Sequence, residues 1–115
     1  MSESLVSSKA LNKEVLAAAL GQLPDWQIVS SNSPKYPSQQ YQELYRSFKF
    51  ESFEAAMGFM TQATPIISQL DHHLRWENNW RTVAVWLTTW DAGHQISSLD
   101  LELAKQLTLL YQKLS

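Results

Sequence analysis

The patterning of the chain predicts an α+β fold: a four-stranded antiparallel sheet with three helices on one face, in the order α-β-β-α-β-β-α. Three observations carry this. Apolar residues recur at helical spacing in three stretches, they alternate in the stretches between, and the alternating stretches come in pairs separated by helices. Paired strands suit antiparallel neighbours covered by helices on one side. At 115 residues the chain forms one domain over 11–115, behind a polar, loose N-terminal segment at 1–10. A chain of this size buries roughly 65% of its unfolded surface, enough for a core without disulfides.

The first helix covers Leu11–Leu20, with Ser8 or Asn12 as its cap and Gly21 placed to stop it. A short strand, Trp26–Ser31, follows the "PDW" turn. Ser31–Gln40 holds two prolines and is too long for a tight hairpin, so a mobile loop is expected there. In Tyr41–Phe50 the residues Leu44, Arg46, Phe48 and Phe50 share one face, and Tyr45, Ser47 and Lys49 the other. Ser52 opens a second helix whose stripe is Phe53, Ala56, Met57, Met60, Ala63, Thr64 and Ile67. Pro65 lies inside it and should kink or break it. The helix ends near Leu70 and delivers His72 and His73 at its C-terminal mouth. Trp76–Trp80 and Thr82–Trp90 read as strands. In the second, Val83, Val85 and Leu87 point one way, and Thr82, Ala84, Trp86, Thr88 and Trp90 the other. "DAGH" is a turn, and Ser97 with Asp100 three residues on has the form of a capping box. Leu99, Leu103, Leu107, Leu110 and Leu114 then make a stripe too broad for one sheet, which points to a second subunit.

Composition excludes several classes of function. There is no cysteine, which rules out disulfides and thiolate metal sites and suits a reducing compartment. The net charge of −2 is spread without a polybasic arm, so nucleic acid is not an expected ligand. No apolar run approaches the roughly 20 residues of a membrane helix, and the N-terminal residues have no signal-peptide pattern. A soluble cytoplasmic protein is expected. Four of the five tryptophans fall between Trp76 and Trp90, a cluster that serves as core, ligand platform or partner surface.

Adjacent histidines in "QLDHHLRW" admit three readings. Past a helix end, charged histidines are favoured by the carbonyl end of the dipole and need no further role. A metal site would need Asp71, Asp91 or His94 as additional ligands, and adjacent side chains in extended chain diverge, so no metal is expected. Paired imidazoles can also give and take protons near neutral pH. With no nucleophile motif and no glycine-rich phosphate loop, proton transfer is the only catalytic class these residues support.

"HHLRW", "RTVAVWLTTW" and "SLDLELA" together resemble the signature of the pterin-4a-carbinolamine dehydratases: His-His-Pro-x-Trp, an apolar strand closing on Thr-His, and a helix opening Ser-x-x-Asp-x-x-Leu-Ala. "PDW" and "LYRSFKFESFEAAMGFM" resemble the family's upstream elements, so the resemblance runs from about Leu11 to Leu110. It implies a dehydratase-like domain that removes water from a 4a-hydroxytetrahydropterin, giving a quinonoid dihydropterin, with no metal and no cofactor. Of the family's three histidines, the adjacent pair maps onto His72 and His73. The third maps onto Trp90, a donor that cannot accept a proton. Leu74 stands at the family's proline, and Ser68 stands where many members have glutamate. The turn after Trp90 is one residue longer and contains His94, a candidate replacement for the third histidine.

Losing one positioned acid–base group costs about 10²–10⁴ in rate, so weak or absent dehydration is expected. "TTWDAGH" and "SSLDLELA" further resemble the dehydratase-like Rubisco assembly factors, including those associated with α-carboxysomes. That resemblance implies a non-catalytic chaperone whose partner is the Rubisco large subunit, with Trp86 and Trp90 on the open sheet face as contact residues. The alternative is a working dehydratase in which His72 is the main acid–base group, His73 holds the pterin and Trp90 stacks on its ring. Both imply a homo-oligomer, a dimer or tetramer.

Overall fold

The computed structural model describes residues 9–32 and 40–114. Helices α1 (Lys13–Leu20), α2 (Phe53–Leu70) and α3 (Ser98–Leu114) alternate with strands β1 (Gln27–Asn32), β2 (Gln40–Lys49), β3 (Arg75–Asn79) and β4 (Thr82–Leu87). The strands form one antiparallel sheet in the order β1-β2-β4-β3, the expected α+β architecture. Of the expected loose N-terminus, residues 1–8 lie outside the described residues, and Ala10 bridges to Ser97. Most of the expected mobile loop, 33–39, also lies outside them; Ser31, Asn32 and Gln40 belong to strands.

Local chemistry sets the helix ends. Asn12 accepts the Val15 N–H at 2.8 Å and caps α1, and Ser52 accepts the Ala55 N–H at 3.0 Å and caps α2, each removing an orphan donor. The break expected at Pro65 does not occur, because α2 runs through it. Pro65 and Thr61, whose carbonyl loses its usual donor, both lie on the solvent side, where water replaces the missing bond. The buried face of α2 is also rotated from the expected stripe: Ala56, Phe59 and Ala63 are buried, and Met57 is exposed.

Register then fixes the two faces of the sheet. Leu44 pairs with Leu87 and Phe48 with Val83, and all four are fully buried under α2 and α3. Tyr45 pairs with Trp86 on the opposite, helix-free face, with ring centroids 5.1 Å apart. Phe48 is the centre of the core. Its ring meets Phe59 at 4.8 Å, Tyr111 at 5.0 Å and Trp26 at 5.8 Å, and the Arg46 guanidinium lies 4.3 Å above it. Burial lowers the pKa of Arg46 from its usual value, opposed by Asp25 and Tyr111.

Thr108 of α3 ties these layers together. Its hydroxyl accepts the Trp26 indole N–H at 2.9 Å and an Arg46 N–H at 3.2 Å. Thr108→Val preserves shape but leaves a buried indole donor unpaired, which costs about 1–3 kcal/mol. The expected result is a urea midpoint lowered without a change in slope; an unaltered midpoint would show the bond to be energetically idle.

The β3–β4 connection places Trp80 at φ 57°, a region rare for bulky side chains. Its ring stacks on Phe53 at 5.3 Å with 16° between planes, a contact that offsets part of the strain.

Candidate active site

The end of α2 aims the histidine pair. Asp71 takes a left-handed conformation (φ 50°) and its N–H bonds back to the Ile67 and Ser68 carbonyls, closing the helix. The chain then leaves extended, so adjacent side chains diverge: His72 is buried and His73 is exposed. His72 meets the first turn of α3. Its Nε2 lies 2.5 Å from Oδ1 of Asp100, a carboxylate with no solvent exposure.

Asp100 is held on every side. Its Oδ2 accepts the Ser97 N–H at 2.8 Å and the Thr89 hydroxyl at 2.8 Å. Ser97 Oγ in turn accepts the Leu99 N–H at 3.2 Å, completing the capping box, and lies 2.6 Å from Thr89 Oγ1. An ionised carboxylate only accepts, so the proton of the His72–Asp100 bond sits on Nε2 and Nδ1 is the nitrogen left for other chemistry. The helix N-terminus favours negative charge at Asp100. A buried carboxylate locked against an imidazole is the arrangement that orients a general base and steadies its protonated form.

Two small clefts adjoin this pair. The first, about 150 Å³, is lined by Asp71, His72, His73, Thr88, Thr89, Trp90, Asp91 and Leu99. The second, about 100 Å³, is lined by Glu43, His73, Leu74, Arg75, Trp86, Thr88 and Trp90. His73, Thr88 and Trp90 border both, so the two clefts are immediate neighbours. A larger hollow of about 430 Å³ lies beside α1 and α3, lined by Glu102 but by no histidine. Among the described residues, no group of three or more His, Asp or Glu side chains is arranged to hold a metal ion.

Trp90 does not lie on the open sheet face, as strand alternation had implied. β4 ends at Leu87. Thr88 and Thr89 are both buried, Thr88 donating its hydroxyl to the Gln42 carbonyl at 2.8 Å and Thr89 pairing with Gln95. Trp90 then opens a 3₁₀ turn, Trp90–Ala92. It is 64% exposed, at the rim of the clefts. Trp86 does stand on the open face, beneath the Arg75 guanidinium at 4.0 Å.

His94 lines neither cleft. It sits at φ 61°, buried, stacked on Tyr41 at 3.8 Å and tilted against Trp90 at 4.0 Å. Its Nε2 lies 3.1 Å from Glu43. It supports Trp90 and does not reach the histidine pair. Ser68 is exposed and outside both clefts, and Leu74 lines the second. Sequence reasoning took Asp100 as a cap and as the aspartate of the last helix's motif, with no part in the chemistry. The signal available was an aspartate where a capping box ordinarily carries Glu or Gln; nothing in spacing ties it to His72, 28 positions away.

Fold and site together define an α+β domain with a buried His–Asp pair opening on a shallow cleft. The family model for pterin 4 alpha carbinolamine dehydratase matches residues 9–110, and the chain belongs to that family. Among its relatives, a protein of Bradyrhizobium diazoefficiens named "Putative pterin-4-alpha-carbinolamine dehydratase" is 36% identical over 103 residues, covering 90% of this chain and 93% of its own. One of the same name from Bordetella avium is 38% identical over 90 residues, covering 78% and 74%. A crystal structure of a transcriptional coactivator/pterin dehydratase from Brucella melitensis superposes with a TM-score of 0.76 at 31% identity, over 90% of this chain and 99% of that one.

Proposed function

We propose that the cleft at His72 and His73 binds a 4a-hydroxytetrahydropterin and dehydrates it slowly. The observation that carries this reading is the 2.5 Å bond between His72 and the fully buried Asp100. Burying a carboxylate is costly unless it is fully partnered, and here its partners fix one imidazole at the edge of a cleft. His72 Nδ1 takes the proton from a ring N–H of the carbinolamine, and Asp100 steadies the imidazolium. The C4a–O bond breaks, and the same proton passes to the departing hydroxyl, which leaves as water. His73 holds the ring, and the Trp90 indole provides a flat surface for it.

Purified protein is assayed by the absorbance change of carbinolamine dehydration. Turnover above the uncatalysed rate that disappears in His72→Ala is the expected result. Identical rates for the two proteins would overturn the reading.

A second, non-catalytic reading is favoured by one observation: the third histidine's place is taken by an exposed indole, Trp90, with Trp86 and Tyr45 nearby on the helix-free face. Exposed aromatic groups of this kind are enriched at protein interfaces. In that reading the chain is a Rubisco assembly chaperone, including the α-carboxysome setting, and acts as a homo-oligomer. Recovery of the Rubisco large subunit by wild type but not by Trp86→Ala/Trp90→Ala would support it. Equally poor recovery by both would sink it.

A further inference from the structure

The hollow between the end of α1 and the length of α3 holds about 430 Å³ and shares no residue with the histidine clefts. Its wall is apolar at Ala19, Leu23, Leu101 and Leu109, and Leu109 is exposed. Lys105 and Thr108 stand one turn apart in the same wall, close enough to act on one group.

Thr108 has a hydrogen-bond donor to spare. Its oxygen accepts the Trp26 indole N–H at 2.9 Å and an Arg46 N–H at 3.2 Å, which uses both lone pairs, while the hydroxyl proton remains to be given. In α2, Thr61 and Thr64 give theirs to the carbonyl four residues back. Among the described residues, nothing accepts the Thr108 proton. Charge points the same way. The Arg46 side chain is 10% exposed, whereas its partner Asp25 is 68% exposed and 3.7 Å away, beyond hydrogen-bond length. A buried cation so loosely matched leaves positive potential on its neighbours. Lys105 adds a second positive charge, with no ion pair among the described residues. Glu102, the acid of the lining, is engaged by Gln106 at 2.8 Å.

We propose that this hollow binds a medium-chain monocarboxylate, with its carboxylate on the Thr108 hydroxyl and the Lys105 ammonium and its chain along Leu23, Leu101 and Leu109. Size agrees: about 430 Å³ corresponds to roughly 14 water-sized groups at ~30 Å³ each, so a chain of about eight to ten carbons with its carboxylate fits. Shape agrees too. The lining runs from Ser98 to Gln112, about 21 Å of helix at 1.5 Å per residue, which suits an extended chain better than a compact ring. Chemistry agrees as well. The carboxylate takes the one proton that Thr108 has left and lies beside two cations, whereas a cationic head would be repelled by both.

The test titrates the full chain with octanoate and, separately, with octan-1-ol, and follows the indole N–H resonances of the five tryptophans by NMR. Trp26 is the reporter, because its N–H is bonded to Thr108. Octanoate should give a saturable shift at Trp26 and leave Trp86 and Trp90 in place. A hydrogen bond to a charged group predicts a preference of about 10-fold or more for octanoate over the alcohol. Lys105→Gln alters an exposed side chain. It should weaken octanoate by about 2- to 5-fold, the worth of an exposed ion pair, and leave the alcohol unchanged. No saturable shift, or equal affinity for acid and alcohol, overturns the proposal. Shifts at Trp86 or Trp90 without one at Trp26 overturn it too, since the ligand would then sit in the histidine clefts. So does an octanoate preference that Lys105→Gln leaves intact.

Discussion

Replacing Asp100 by alanine is expected to destabilise the domain by about 3–5 kcal/mol, the range for removing one partner from a buried, hydrogen-bonded charge pair. The carboxylate is wholly buried and satisfies three donors at once: His72 Nε2, the Ser97 N–H and the Thr89 hydroxyl. Alanine leaves all three without their acceptor and removes the Asp100 half of the capping box of a 17-residue helix. For a two-state domain of this size the melting temperature should fall by more than 10 °C, at roughly 4–8 °C per kcal/mol. Asp100→Asn separates stability from chemistry. It keeps one acceptor oxygen but presents an amide donor on the other side, so either the Ser97 N–H loses its acceptor or His72 Nε2 becomes the acceptor and the proton moves to Nδ1. The domain should then fold with a smaller loss of about 1–3 kcal/mol. Dehydration should fall by about 10²–10⁴, because the imidazole is no longer held with Nδ1 free. A variant that loses this stability yet turns over like wild type would show that the pair is merely structural.

Much of the fold was legible because local signals agreed with one another. Asn12 and Ser52 cap the helices that their spacing suggested, and the alternation in β2 separated Leu44 and Phe48 from Tyr45 as the sheet does. Where reading failed, a tertiary contact had overruled a local rule. Pro65 does not break α2, because the bond it removes lies on the wet side. Trp90 does not continue β4, because Thr88 and Thr89 spend their hydroxyls on Gln42, Asp100 and Ser97, which turns the chain before the alternation can place the indole. The site was half legible for the same reason. His72 and His73 are visible as neighbours in sequence, whereas Asp100 joins them only once α3 is brought alongside. His94 is the sharpest case. One turn-residue insertion made it a candidate for the cleft, yet its left-handed backbone directs it instead to Tyr41 and Glu43.

Trp90→His is expected to raise carbinolamine turnover by about 10²–10⁴, the contribution of a positioned acid–base group. The indole borders both clefts, so a smaller ring at the same backbone position faces the same space as His73 while freeing volume for substrate. The cost to folding is small. Trp90 is 64% exposed, and the contact most affected is its tilted ring contact with His94, worth about 0.5–1.5 kcal/mol for an aromatic pair. Trp90→Ala is the necessary comparator. An alanine variant that gains as much as the histidine variant would mean that the indole only obstructs, and that His72 with Asp100 suffices for the chemistry. A gain confined to histidine would mean that proton transfer is limiting and that two imidazoles divide the work of base and acid. A gain in neither, with His72→Ala also silent, would place the limiting defect outside residue 90. It would then favour the reading in which Trp90 faces a protein partner, since exposed aromatic residues are enriched at interfaces.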